Sequence, residues 1–169
     1  MFDTAVLGVD PGTAAVGLAL VVGGGSRASV RWADTLRTPP SLAAGERLRH
    51  IYGGVTKVIE EHRPEVMAIE RLMWGRNTES AMGVARASGV IMLAAAQAGM
   101  QVEEYAPLEV KMAVTGAGNA PKEAVRRALA RVLGLEGVPT DPDAADAVAV
   151  GVCHLQQAGF RRLAGRASR

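Results

Sequence analysis

The chain is poor in the residues that build covalent or metal crosslinks. Its 169 residues include one cysteine, Cys153, which excludes an internal disulfide and a cysteine metal cluster. Cys153 falls in an apolar helical stretch and reads as core. Aromatic residues make up only 4% of the chain, so the core is expected to consist mainly of Ala, Val, Leu and Met. A run of about 18 uncharged apolar residues would read as a membrane span. The nearest approach, Ile91 to Met100, is too short. No basic segment, apolar segment and cleavage site open the chain, so no signal peptide is expected and a soluble cytoplasmic protein follows. Fixed-period repeats and low-complexity blocks are missing too, the 20 Gly and 8 Pro being scattered.

Charge of one sign is also in short supply, with a formal net charge of +2. Its distribution is uneven. The last ten residues carry Arg161, Arg162, Arg166 and Arg169 and no acid, and Lys122, Arg126, Arg127 and Arg131 cluster upstream. Such clusters suit a polyanionic partner; a solvated helix face with a basic tail is the ordinary alternative. The length fits a single domain, taken as residues 1–160, with 161–169 as a basic C-terminal tail.

The apolar pattern places strands over Thr4–Val9 and Val16–Val22, a third over Ser29–Thr38, and a fourth over Glu65–Glu70. A fifth begins at Gln101. Ser41 is a candidate cap for a helix from about Leu42 to His62, with Leu48, Ile51, Tyr52, Val55, Val58 and Ile59 on one face. Asn77 or Thr78 is a candidate cap for a second helix through Ala98. That helix is apolar on nearly every side and reads as buried all round, serving the core and a dimer partner or the core alone. Shorter helices follow from Pro107 to Val114 and from Pro121 to Leu133, and the last runs from Pro142 to Leu163. The order implies an α/β fold, a mixed five-stranded sheet flanked by helices on both faces.

Four acids stand at element ends. Asp10 closes the first strand in "LGVDPGTAAVGLAL" and Glu70 closes the fourth. In "TDPDAADAVAVG" Asp141 and Pro142 read as N-cap and first helical residue. That leaves Asp143 and Asp146, three apart and therefore on one helix face, free for other work. A carboxylate set without thiolate or evident His ligand suits a hard cation, Mg²⁺ or Mn²⁺. Two carboxylates about 5 Å apart repel by roughly 3 kcal/mol at an effective dielectric of about 20, so a convergent cluster calls for cations or protons. Spacing does not establish convergence, and each acid alone has an ordinary reading as turn, strand-end or helix-start residue.

The blocks "LGVDPGTAAVGLAL", "AIERLMWGRNTESAMGVARASGV", "EYAPLEVKMAVTGAGNAPKEAV" and "DPDAADAVAVGVCH" together resemble the RuvC family of Holliday-junction endonucleases, from about residue 5 to 155. The resemblance implies a ribonuclease-H-like fold, a homodimer, and Mg²⁺-dependent nicking of two like-polarity strands of four-way junction DNA, beside the RuvA–RuvB branch-migration complex and away from any membrane. Asp10, Glu70, Asp143 and Asp146 match the family's metal-binding, catalytic carboxylates, with His replacing Asp143 in some relatives. Two Mg²⁺ are implied per site, with Asp10 expected to bridge them, Glu70 and Asp143 on the leaving-group side and Asp146 on the water side. Lys122 and Lys111 match basic residues near the scissile phosphate. Lys122 is assigned as an electrostatic helper of the transition state and Lys111 as a phosphate clamp. Met73 stands where many relatives have a base-stacking aromatic, so either Trp74 takes that role or Met73 wedges. Arg71, Arg76 and Arg86 are candidates for tracking backbone phosphates. Another ribonuclease-H-like nuclease of the YqgF type, an actin- or sugar-kinase-like ATPase, and a catalytically silent junction-binding module are the alternative readings.

Overall fold

A computed structural model describes residues 3–24, 27–73, 78–131 and 138–167. Three antiparallel strands come first, β1 (Thr4–Asp10), β2 (Ala15–Gly24) and β3 (Arg27–Arg37). The helix α1 (Ala44–His62) leads to β4 (Val66–Glu70), and α2 (Thr78–Gln97) leads to β5 (Gln101–Tyr105). Then follow α3 (Pro107–Thr115), α4 (Lys122–Arg131) and α5 (Pro142–Ala167). The sheet order is β3-β2-β1-β4-β5, with β4 parallel to both β1 and β5. β1 is therefore the central strand, paired on both sides.

Alternation along the strands sorts the sheet into two faces. Leu7, Val9, Leu18, Met67 and Ile69 point to one, where they pack with Ile51, Val55 and Ile59 of α1 and Ala87 and Ile91 of α2. Val6, Ala19, Val21, Val66 and Ala68 point to the other, under α3, α4 and α5. The mixed sheet with helices on both faces is thus as expected, and Cys153 is fully buried in the second core.

The α5 face is made of small residues, which lets the helix lie directly on the strands. A Cβ at Gly8 would fall 2.1 Å from the carbonyl oxygen of Ala147, and one at Gly17 would fall 1.9 Å from that of Asp143. Gly151 on the helix answers them, its missing Cβ lying 2.7 Å from Val21 Cγ2 and 3.8 Å from Gly8 Cα. Backbone meets backbone here, and no side chain can be fitted without moving the helix.

Three local expectations change. Ser41 does not cap α1. The Leu42 N–H donates to the Pro39 carbonyl at 3.2 Å, closing a turn that has Pro40 at its favoured second position and Ser41 inside it. The helix starts at Ala44, with Ala43 at the N-cap and no side-chain acceptor. The second helix is not buried all round: Met82, Ala85, Gly89, Leu93 and Ala96 are exposed along it, with Met82 and Leu93 each 49% exposed. The last helix continues past Leu163 to Ala167, so residues 161–167 are helical. The candidate caps Asn77 and Thr78 are not placed: Asn77 lies outside the described residues and the side chain of Thr78 is not described.

Two glycine substitutions separate close packing from ordinary helix propensity. Gly8→Ala is expected to destabilise the fold by about 2 kcal/mol or more in urea titrations, the range of overpacked cores. Gly53→Ala, within α1 and with nothing within 4 Å of the added Cβ, should stabilise by about 0.5–1 kcal/mol.

Candidate active site

The same alternation that sorts the core also aims the acids. Asp10 follows Val6 and Gly8 on the α5 face of β1, and Glu70 follows Val66 and Ala68 on the α5 face of β4. The parallel register pairs Val9 with Ile69, so the two acids end neighbouring strands side by side. The Pro11–Gly12 pair follows Asp10 at once and ends the strand. The carboxylates stand at the ends of two interior strands, with their backbones tied into the sheet.

From above, α5 brings Asp146. Its placement depends on Asp141, which caps the helix as the sequence predicts. Asp141 Oδ1 accepts from the N–H groups of Asp143 (3.1 Å) and Ala144 (3.3 Å). It also accepts from Thr35 Oγ1 at 2.5 Å, while Arg37 donates to Oδ2 at 2.6 Å. The Thr35 hydroxyl, then the helix N–H of Ala144 and the Arg37 charge, hold the Asp141 carboxyl below its ordinary range. The cap therefore doubles as a clamp between β3 and the start of α5. Sequence reasoning did not find Thr35 and Arg37; both lie on the edge strand, and nothing in their own pattern points across to residue 141.

These elements enclose a cleft of about 220 Å³ lined by Asp10, Glu70, Asp146, Lys111 and Lys122. Its apolar floor is formed by Val110, Val125 and Ala149. Lys122 Nζ donates to Asp146 Oδ2. A lysine in the first turn of a helix opposes the helix dipole, and Asp146 offsets that. The bond to Asp146 raises the Lys122 pKa. Burial first, then the charges of Glu70 and Asp146, push the Asp10 carboxyl up from 3.8 to about 7. Glu70 is raised as well, by burial and then by Asp146, with Lys122 and Lys111 opposing. The cleft holds more negative charge than its own cations balance.

Of the residues singled out from the sequence, Asp10, Glu70, Asp146, Lys111 and Lys122 come together. Asp143 is not among the cleft's lining residues; Asp10 and Lys122 sense it only as a weaker electrostatic influence. Among the described residues no three acids close around a common point tightly enough to hold a metal ion. Arg71 is exposed after β4, its N–H donating to the Tyr105 carbonyl at 2.8 Å, and Met73 is exposed beyond it. Arg86 is exposed on α2, lining a different groove. Trp74 and Arg76 lie outside the described residues.

A central strand with antiparallel neighbours on one side and parallel ones on the other, ending in a carboxylate cleft under the last helix, defines a ribonuclease-H-like protein. The model for "Crossover junction endodeoxyribonuclease RuvC" matches residues 6–154, and the chain belongs to the RuvC family. A relative of that name from Moorella thermoacetica is 47% identical over 165 residues, covering 95% of this chain and 99% of its own. The structure of T. thermophilus RuvC in complex with Holliday junction substrate superposes with a TM-score of 0.86 at 34% identity, covering 94% of this chain and 96% of that one. The yeast mitochondrial Holliday junction resolvase Ydc2 matches with a TM-score of 0.71 at 11% identity over 94% of this chain and 81% of its own, a likeness of fold.

Asp10 sets a pH dependence whose sign follows from its raised pKa. The folded chain binds a proton more tightly there than the unfolded chain does. The stability from this group is fully present below about 4 and is lost as pH rises through about 7. In chelator at pH 8, Asp10→Asn should therefore be more stable than the parent, by on the order of 2–4 kcal/mol. The gap should close at pH 4. Thermal unfolding at both pH values reads it.

Proposed function

We propose that this chain is a structure-selective endonuclease that resolves Holliday junctions, hydrolysing one phosphodiester in each of two like-polarity strands. The observation that carries the reading is the cleft at the mouth of β1 and β4, which Asp10, Glu70 and Asp146 line together with Lys111 and Lys122. Membership of the RuvC family supplies the substrate class.

Asp10, Glu70, Asp143 and Asp146 are the residues that would hold divalent metal, Mg²⁺ or Mn²⁺, two ions per site being the expected number; Asp143 stands beside the cleft, within electrostatic reach of Asp10. The fit rests on the donor set, all carboxylate oxygen and suited to a hard cation, and on the burial and neighbouring negative charge that raise the Asp10 carboxyl. When bound, such ions activate a water, neutralise phosphate charge and stabilise the leaving oxygen. The chain itself supplies rigidity and charge. Asp10 and Glu70 are fixed by strand pairing, Asp146 by the clamped helix. Lys111 and Lys122 present positive charge to a phosphate in the cleft, Lys111 as clamp and Lys122 toward the transition state. Arg71, Arg76 and Arg86 contribute salt-sensitive backbone contacts, and the Met73–Trp74 loop meets the bases where strands exchange.

A two-fold junction calls for a two-fold protein. The exposed stripe of Met82, Ala85, Gly89, Leu93 and Ala96 on α2 supports a homodimer through that helix, its small residues permitting close approach. Cooperation with a RuvA–RuvB complex and a cytoplasmic setting belong to the same reading. Among the described residues no helix is long and apolar enough to cross a membrane.

Incubation of a synthetic four-way junction with the protein and Mg²⁺ should give paired, symmetric nicks, with linear duplex, Y-shaped DNA and RNA–DNA hybrid uncut. Asp10→Asn should retain junction binding and lose at least about a thousandfold in cleavage rate, the scale on which loss of one key transition-state group is felt. Cutting by that variant at the parental rate would remove Asp10 from the mechanism. For the dimer, Leu93→Glu should convert a two-chain species to one chain in sedimentation at micromolar concentration; a parent that already sediments as one chain refutes the α2 interface.

A further inference from the structure

A second groove lies at the same end of the sheet as the carboxylate cleft, on the opposite face. It has a volume of about 250 Å³ and is lined by Thr13 of the β1–β2 turn, Arg47 and Leu48 of α1, and Gly83 and Arg86 of α2. Its character is the reverse of the cleft's: two guanidinium groups from two different helices, and no acidic side chain in the lining. Arg47 is half-buried and pre-set, donating to the carbonyls of Pro39 (3.5 Å) and Pro40 (3.2 Å). Arg86 is exposed and forms no ion pair with any described residue. Gly83 brings α2 up against the turn, since a Cβ there would fall 2.9 Å from Thr13 Cγ2. The first turn of α1, beside Arg47, has no side-chain cap.

We propose that this groove seats a backbone phosphate of the DNA arm flanking the cut, with Arg47 and Arg86 as its guanidinium partners and the Thr13 hydroxyl as a neutral donor. The proposal rests on the junction-endonuclease reading and extends it to residues of α1. Planar guanidinium forks suit phosphate oxygens, and the groove offers that phosphate no competing acid. Thr13 follows Asp10 by three residues, at most about 11 Å of extended chain. Phosphates of one strand succeed each other at about 3.4 Å of helix rise. A strand leaving the cleft over the β1–β2 turn therefore reaches the groove within a few nucleotides of the cut. The two sites would hold one strand from both sides of the sheet end, which would fix its direction across Asp10.

The test uses Asp10→Asn as parent, in chelator, so that binding is read without cleavage. A labelled four-way junction is titrated between about 50 and 200 mM salt. Adding Arg47→Gln and Arg86→Gln should weaken binding about fivefold or more and lower the slope of log K against log salt by about 0.9, the loss of one neutralised phosphate. Arg86→Gln alone, an exposed change on α2, should give part of both effects and keeps the test valid if the double variant unfolds. A single methylphosphonate a few nucleotides from the cut should weaken the parent and leave the double variant unaffected. Affinity within twofold of the parent with an unchanged slope overturns the proposal while leaving the junction reading intact. A parent that binds no junction overturns both.

Discussion

The contact on which the site depends is that of α5 with β1 and β2. Gly8 and Gly17 on the sheet and Gly151 on the helix bring carbonyl oxygens to within 2.1 and 1.9 Å of where ordinary side chains would begin. Helix and sheet are in register through their backbones. That fixes the height at which Asp146 stands over Asp10 and Glu70. The clamp at Asp141, held by Thr35 and Arg37 from the edge strand, fixes the other end of the same lever. Backbone contact gives the acids a placement that long side-chain packing would blur.

That rigidity is needed because the site works against folding. Burial and mutual repulsion lift Asp10 to about 7 and raise Glu70. Left to themselves, such groups would move apart or find water. Strand pairing on both sides of β1 prevents the first, and the apolar floor of Val110, Val125 and Ala149 limits the second. Lys122 offsets part of the charge through Asp146. The remaining excess is what a divalent cation or a proton would satisfy. Perturbed groups held in a cleft by otherwise satisfied structure are the usual mark of a functional site.

Much of this was legible in the sequence because strand and helix periods are simple. Alternation in "TAVLGVD" and "EVMAIE" puts an acid at the end of each strand on a predictable face, and Asp141-Pro142 announces the last helix. The convergence of Asp10, Glu70 and Asp146 follows once the strands are neighbours, which periodicity cannot state and the family resemblance implied. By helical spacing Asp143 lies on one face with Asp146. Its position in the first turn, two residues after the cap, leaves it outside the cleft lining. The Ser41 cap failed because two prolines impose a turn that propensity for helix starts does not weigh. The second helix looked buried because its residues are apolar and small; one chain alone leaves a stripe of it exposed. Gly8, Gly17 and Ala19 mark a small-residue sheet face, the local signal of close helix approach. Thr35 and Arg37 act across long sequence separations, where no local pattern points.

A rigid backbone contact holds an acid cluster short of positive charge. Calorimetric titration of Mn²⁺ into the metal-free protein at pH 7, repeated in buffers of different ionisation enthalpy, tests it directly. With Asp10 titrating near 7, binding should release roughly half a proton per site from that group, and Asp10→Asn should lower the release by that amount. Binding without proton release, or with the same release in Asp10→Asn, would contradict the account.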